Sequence, residues 1–181
     1  MCRHVVTGLA RRYVLLMLAA VGTLSSQSVA AADDADRPNI LFAIADDWGT
    51  DHAGAYGCDW IKTPSFDRLA KEGILFHRAY TPNAKCAPCR AIILTGRNSW
   101  QLEDACNHVN FFPAKFGSFI EALTAEGYYC GSTGKTWGPG QVLSKPDEKR
   151  RMTGIPFHKR QRPVPGMNRL DYAGNFEEFL K

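Results

Sequence analysis

Past residue 32 the chain is nearly without net charge. Three of its 22 basic residues (Arg3, Arg11 and Arg12) and none of its 18 acidic ones lie before that point, so 19 basic residues face 18 acidic ones in the remainder. The formal +4 of the whole chain falls to +1 there, which leaves nucleic acid without a bulk electrostatic attraction. Long apolar runs are missing as well. The one candidate, Tyr13 to Val21, is too short to span a bilayer comfortably. No lipid-attachment cysteine follows it, so no stable membrane anchor is expected. Cysteine is scarce, and no second close pair stands at metal spacing to join Cys86 and Cys89 in a structural zinc site. Internal repeats are absent, which argues against a solenoid or propeller.

What is present is an ordinary globular composition, 45% hydrophobic and 22% charged over 181 residues. Residues 1–32 read as a secretory signal peptide: arginines, then the apolar run, then small residues ending Ser28-Val29-Ala30-Ala31-Ala32, which fits small-x-small cleavage. Arg11-Arg12-Tyr13-Val14-Leu15 is similar to a twin-arginine signal. Export to a periplasmic or extracellular compartment is therefore expected. Five cysteines follow the leader: Cys58, Cys86, Cys89, Cys106 and Cys130. An odd number in an exported chain points to a reactive or modified thiol. The remaining basic residues gather locally at Lys145, Lys149, Arg150, Arg151, Lys159, Arg160, Arg162 and Arg169. Such a run is a solvated loop or a landing surface for an anionic polymer.

The elements alternate. Residues 39–45 form a continuous apolar run, expected as a strand buried on both faces of a parallel sheet. Residues 63–73 read as a helix, with Pro64 at its start and Gly73 at its stop. Residues 74–80 and 128–133 read as further strands. Helices are expected over 88–94, 116–126 and from Asp171 onward, and residues 141–170 as an irregular basic loop. The pattern implies an α/β fold with a mostly parallel sheet and helices on both faces. Functional residues in such sheets gather at the carboxyl ends of strands. The last helix is still under way at Lys181, which reads as a domain cut short.

Three groups of residues carry chemistry. Asp46 and Asp47 are adjacent carboxylates leaving an apolar run, an unfavourable pair unless a cation sits between them. Hard oxygen ligands of this kind select Ca²⁺ or Mg²⁺; the plainer reading is a polar turn. Cys86 opens the helix Cys86-Ala87-Pro88-Cys89-Arg90, where free N–H groups and the dipole suit an anion. Arg90, one turn on, is expected as a planar partner for an oxyanion. Lys135, after Gly134, is expected to stabilise negative charge or to be a surface turn lysine. His108 is a weaker candidate for contacting substrate. Cys86 and Cys89 also form a Cys-x-x-Cys pair, the thiol–disulfide alternative, although Asn83-Ala84-Lys85 supply no aromatic residue before it.

Taken together in this order, Asn39 to Asp47, Cys86-x-Pro88-x-Arg90 and Gly127-Tyr128 through Gly134-Lys135 resemble the N-terminal part of the sulfatase family. The resemblance covers residues 38 to about 140. It implies an alkaline-phosphatase-like α/β domain, incomplete here, that hydrolyses sulfuric esters or N-sulfates. It implies that a maturation enzyme converts Cys86 to formylglycine, whose hydrate attacks sulfur with one hydroxyl and expels sulfate with the other. It also implies a Ca²⁺ (or Mg²⁺) held by Asp46, Asp47 and residue 86, with Arg90 and Lys135 as catalytic residues. The stretch Thr95 to Glu103 and the run Gly134-Lys135-Thr136-Trp137-Gly138-Pro139-Gly140 are most similar to bacterial members grouped with heparan N-sulfatase (N-sulfoglucosamine sulfohydrolase), implying a sulfated glycan. Two positions depart from the pattern. Cys89 stands where the family usually has Ser, and Trp137 where it commonly has His, so that histidine's role is unassigned. The family's later acidic pair is also missing, which leaves a non-catalytic remnant as a further alternative. Phosphate or phosphonate hydrolysis, known in the wider superfamily, stays open beside sulfate.

Overall fold

The computed structural model of the chain describes residues 37–144, 150–162 and 168–181. The leader expected over residues 1–32 lies outside them, as do Lys145 and Lys149 of the basic run. The chain divides into two units, residues 1–44 and 45–181. In the first, residues 37–44 adopt no regular element, and Ile40, Leu41, Phe42 and Ile44 are exposed. The strand expected over 39–45 is thus not formed. A parallel strand exists only through neighbours that accept its ladder bonds, and among the described residues no strand pairs with this one.

The second unit mixes helices with parallel strand pairs. Among the described residues the α-helices are α1 (Pro64–Glu72), α2 (Cys86–Thr95), α3 (Phe119–Ala125) and α4 (Tyr172–Phe179). The strands are β1 (Asn110–Phe112), β2 (Gly131–Ser132), β3 (Gly140–Val142) and β4 (Ile155–Pro156). β1 pairs with β3 in register Asn110↔Gly140, and β2 with β4 in register Gly131↔Ile155, both parallel. The architecture is α/β, as expected, with small sheets. Residues 74–80 form no strand, and the strand expected over 128–133 shrinks to two residues. The loop expected over 141–170 contributes β4 and most of β3, each paired to a strand outside it. None of the helices among the described residues is long and apolar enough to cross a membrane.

Local chemistry explains the helix ends. Pro64 begins α1, where its missing N–H costs nothing. Gly96 closes α2 in the left-handed conformation (φ 65°), its N–H donating to the Ile92 carbonyl. Ser118 caps α3 in a reciprocal box: its Oγ accepts from Glu121 N–H at 3.1 Å, and Glu121 accepts from Ser118 N–H at 2.8 Å. That cap starts the helix at 119 rather than 116.

The core lies around α2. Ala87, Ala91 and Leu94 pack with Leu102, Phe112 and Trp137, all buried. Phe112 and Trp137 meet edge to face at 5.3 Å between ring centroids. Arg150 closes one side: its side chain is 6% exposed and forks onto Glu121 at 2.7 and 2.8 Å. Its guanidinium also lies over the Phe112 ring. Glu121 is held below the usual carboxylate range, chiefly by its hydrogen bond from Arg150. Gly140 is the tight point of the β1–β3 pair, since a Cβ there would collide with the Trp137 indole and the Asn110 carbonyl.

Candidate functional site

The structure brings Asp46, Asp47, Cys86, Arg90 and Lys135 to one place. Cys86 is the first residue of α2, following an extended Lys85. Lys135 arrives from the carboxyl end of β2, three residues past Ser132. Its Nζ donates to Asp46 Oδ2 at 2.6 Å and to Cys86 Sγ at 3.0 Å. Asp46 Oδ1 lies 4.0 Å from the same sulfur. Asp47 takes a left-handed backbone (φ 53°), which an aspartate tolerates. One ligand atom each from Asp46, Asp47 and Cys86 lie within 4.8 Å of one another.

Arg90 does something the sequence did not suggest. Its guanidinium is expected as an open fork for a bound oxyanion, yet the side chain is only 7% exposed. One terminal nitrogen donates to the carbonyls of Lys135 (2.6 Å) and Thr136 (2.9 Å), and the other to Asp46 Oδ1 (3.2 Å). Arg90 therefore clamps the Lys135 loop and the Asp46 carboxylate onto α2. Trp137 adds a second clamp, its indole N–H donating to the Ala87 carbonyl at 3.0 Å. Position 137, where the resemblance implies a histidine, thus carries a buried anchor.

The electrostatics follow. Asp46 is held below the usual carboxylate range, first by the hydrogen bond from Lys135 and then by Arg90, against the opposing effect of burial. Lys135 is pushed above the usual lysine range by Asp46 first and Cys86 second. Together they keep an anion and a cation in contact beside the sulfur.

The donor set fits a divalent cation in part. Ca²⁺ and Mg²⁺ take oxygen ligands, Ca²⁺ six to eight of them. Asp46 and Asp47 supply hard oxygens, whereas the thiol of Cys86 is a soft donor. An oxygen-bearing side chain at position 86 would make the trio uniform. Three residues still supply only part of a Ca²⁺ coordination sphere.

The sulfatase family profile matches residues 38–143. This chain belongs to the sulfatase family. N-acetylglucosamine-6-O-sulfatase of Bacteroides thetaiotaomicron is 37% identical over 133 residues, covering 74% of this sulfatase chain and 23% of the relative. Arylsulfatase A of Bos taurus is 35% identical over 160 residues, covering 82% and 31%. Iduronate 2-sulfatase of Homo sapiens is 30% identical over 144 residues, covering 78% and 26%. The chain thus spans between 23% and 31% of the length of these three relatives. No solved structure matches it at a significant level.

Among the described residues His108 makes no hydrogen bond to Asp46, Asp47, Cys86, Arg90 or Lys135. It is half-buried in the turn before β1, where Val109 N–H donates to the Pro139 carbonyl. Two residues that the sequence did not single out do reach the lysine loop. Gly134 N–H donates to His158 Nδ1 at 3.3 Å, and the Tyr172 ring packs on the Gly134 α-carbon. Both come from far along the chain; Tyr172 fits the helical spacing of Tyr172, Phe176 and Phe179, but that spacing does not say that it meets Gly134. Only the glycine at 134 (φ 80°) hinted that something must approach closely there. All five described cysteines are free thiols, Cys86 and Cys89 included.

Proposed function

We propose that this chain carries the nucleophile and part of the metal site of a sulfatase that hydrolyses sulfate esters or N-sulfates on a sulfated glycan. The observation that carries this reading is the triangle of Lys135 Nζ, Asp46 and Cys86 Sγ at a helix N-terminus. The heparan N-sulfatase-like motifs support a glycan substrate, as do relatives named for sulfated N-acetylglucosamine and iduronate.

The aldehyde made from Cys86 by a maturation enzyme would supply, once hydrated, the hydroxyl that attacks sulfur. Asp46, Asp47 and residue 86 would hold Ca²⁺ or Mg²⁺, whose chemistry is to polarise a sulfuryl oxygen. The chain's own residues do the rest. Lys135 holds an ammonium where negative charge develops on the sulfuryl oxygens. Asp46 keeps that ammonium in place and charged. Arg90 fixes the backbone of Lys135 and Thr136, so the ammonium is delivered without reorganisation. Residues 33–181 are then part of a sulfatase N-terminal domain, preceded by a leader over 1–32 that directs export.

The test is the mass of the tryptic peptide Cys86–Arg90 from protein made in its native host. The aldehyde form is the expected result. An unmodified thiol would sink the nucleophile assignment and leave a non-catalytic remnant. A Cys86–Cys89 disulfide would move the chain to the thiol–disulfide class.

A further inference from the structure

Several basic residues outside the site gather on one arm. After β4 the chain passes His158 and runs through Lys159, Arg160, Gln161 and Arg162; it returns through Arg169 and Leu170 into α4. Gln161 and Leu170 form an antiparallel bridge. Arg162 N–H donates to the Arg169 carbonyl at 2.7 Å, and Asp171 N–H to the Arg160 carbonyl at 3.1 Å. Both legs are rooted on Gly134, one through His158 Nδ1 and the other through the Tyr172 ring. The arm therefore starts one residue from Lys135, whose ammonium faces Cys86.

Among the described residues, three of its four basic residues carry uncompensated charge. No acidic residue occurs from 157 to 170. Arg160 is neutralised by Glu177 and Glu178 at 3.4 and 3.2 Å. Lys159, Arg162 and Arg169 are exposed and make no ion pair among the described residues. The bonds flanking the bridge place Arg162 opposite Arg169. Like charges directly opposed on paired strands repel, and an anion between them removes the repulsion. With the remainder of the chain close to neutral, these cations are a local feature and not a reflection of overall charge.

We infer that the arm binds further sulfate groups of a polymeric glycan, with Lys159, Arg162 and Arg169 as its contacts. The inference rests on reading the neighbouring site as a sulfate-ester site, and it adds the substrate's form: a multiply sulfated chain rather than a lone sulfated sugar.

Heparin is the probe, and binding is measured by calorimetry on the full chain across a salt series. Replacing the three residues together (Lys159→Gln, Arg162→Gln, Arg169→Gln) is expected to weaken binding about tenfold and to flatten the salt dependence by about two counterions. A control set on α1 and the segment after it (Arg68→Gln, Lys71→Gln, Arg78→Gln) removes the same charge and should leave binding within about twofold of the parent. Equal weakening by both sets would reduce the effect to bulk charge and overturn the inference, as would no weakening by the first. Binding is read without turnover. A failed aldehyde assay with intact, arm-dependent heparin binding would therefore condemn the catalytic reading alone.

Discussion

Helices α1 and α2 are of nearly equal length and opposite fate. α1 segregates its apolar and polar residues cleanly, yet none of its residues is buried and Leu69 is 63% exposed. α2 is apolar along most of its length and buries Ala87, Pro88, Arg90, Ala91 and Leu94. The helix that carries Cys86 is thus the one set in the core, and its guanidinium is buried with it. A site that must hold a carboxylate, an ammonium and a sulfur within a few ångströms needs a support that does not move.

The contrast is sharpest for side-chain truncation. Leu102→Ala, beneath α2, is expected to destabilise by about 3 kcal/mol, because a fully buried leucine leaves both lost burial and a cavity. Urea midpoints measure it, and a loss below about 1 kcal/mol would mean that the α2 core is loosely packed. Arg90→Met comes next, at about 2 kcal/mol, since it strands the carbonyls of Lys135 and Thr136 and one oxygen of Asp46. An amide spectrum in which the signals of Thr136 and Trp137 do not shift would contradict the clamp.

A smaller effect asks how far charge supports the α2 neighbourhood. Glu121 is depressed in the folded state by Arg150, so the pair's stability is fully present above the ordinary glutamate range. It is lost as pH falls from that range through the lower folded value. Midpoints of the parent and Glu121→Gln should therefore differ near neutral pH and converge in acid. Parallel curves would remove the ion pair from the account. Smallest of all is Leu69→Ala on α1, expected within about 0.5 kcal/mol of the parent. A larger loss would show that this helix is covered in solution.

The same comparison explains what could be read in advance. The ends of α1 were legible because Pro64 and Gly73 act locally, whereas the Ser118–Glu121 box went unread and α3 was expected three residues early. Strands were not legible. The apolar run 39–45 looks like a buried strand, but a strand is a relation between segments, and its partners are not written within it. β1 and β3 are three residues each, too short for any period, and Gly140 has no side chain to reveal a face. At the site, the sulfatase resemblance picked out positions 46, 47, 86 and 135, and the structure brings these residues together. The occupation of Arg90 by two carbonyls 45 and 46 residues away could not be read, since backbone atoms leave no mark in composition. His158 and Tyr172 were hidden for the same reason: what they meet is the backbone of Gly134.

Gly140 carries a consequence for how this chain tolerates mutation. It touches neither sulfur nor carboxylate, and nothing in its chemistry marks it. Yet any side chain there must displace the indole of Trp137, which holds the loop that delivers Lys135. In a survey of all single substitutions, position 140 would therefore be as intolerant as the charged positions themselves. Its sensitivity would report sheer lack of room, transmitted along four residues to the ammonium.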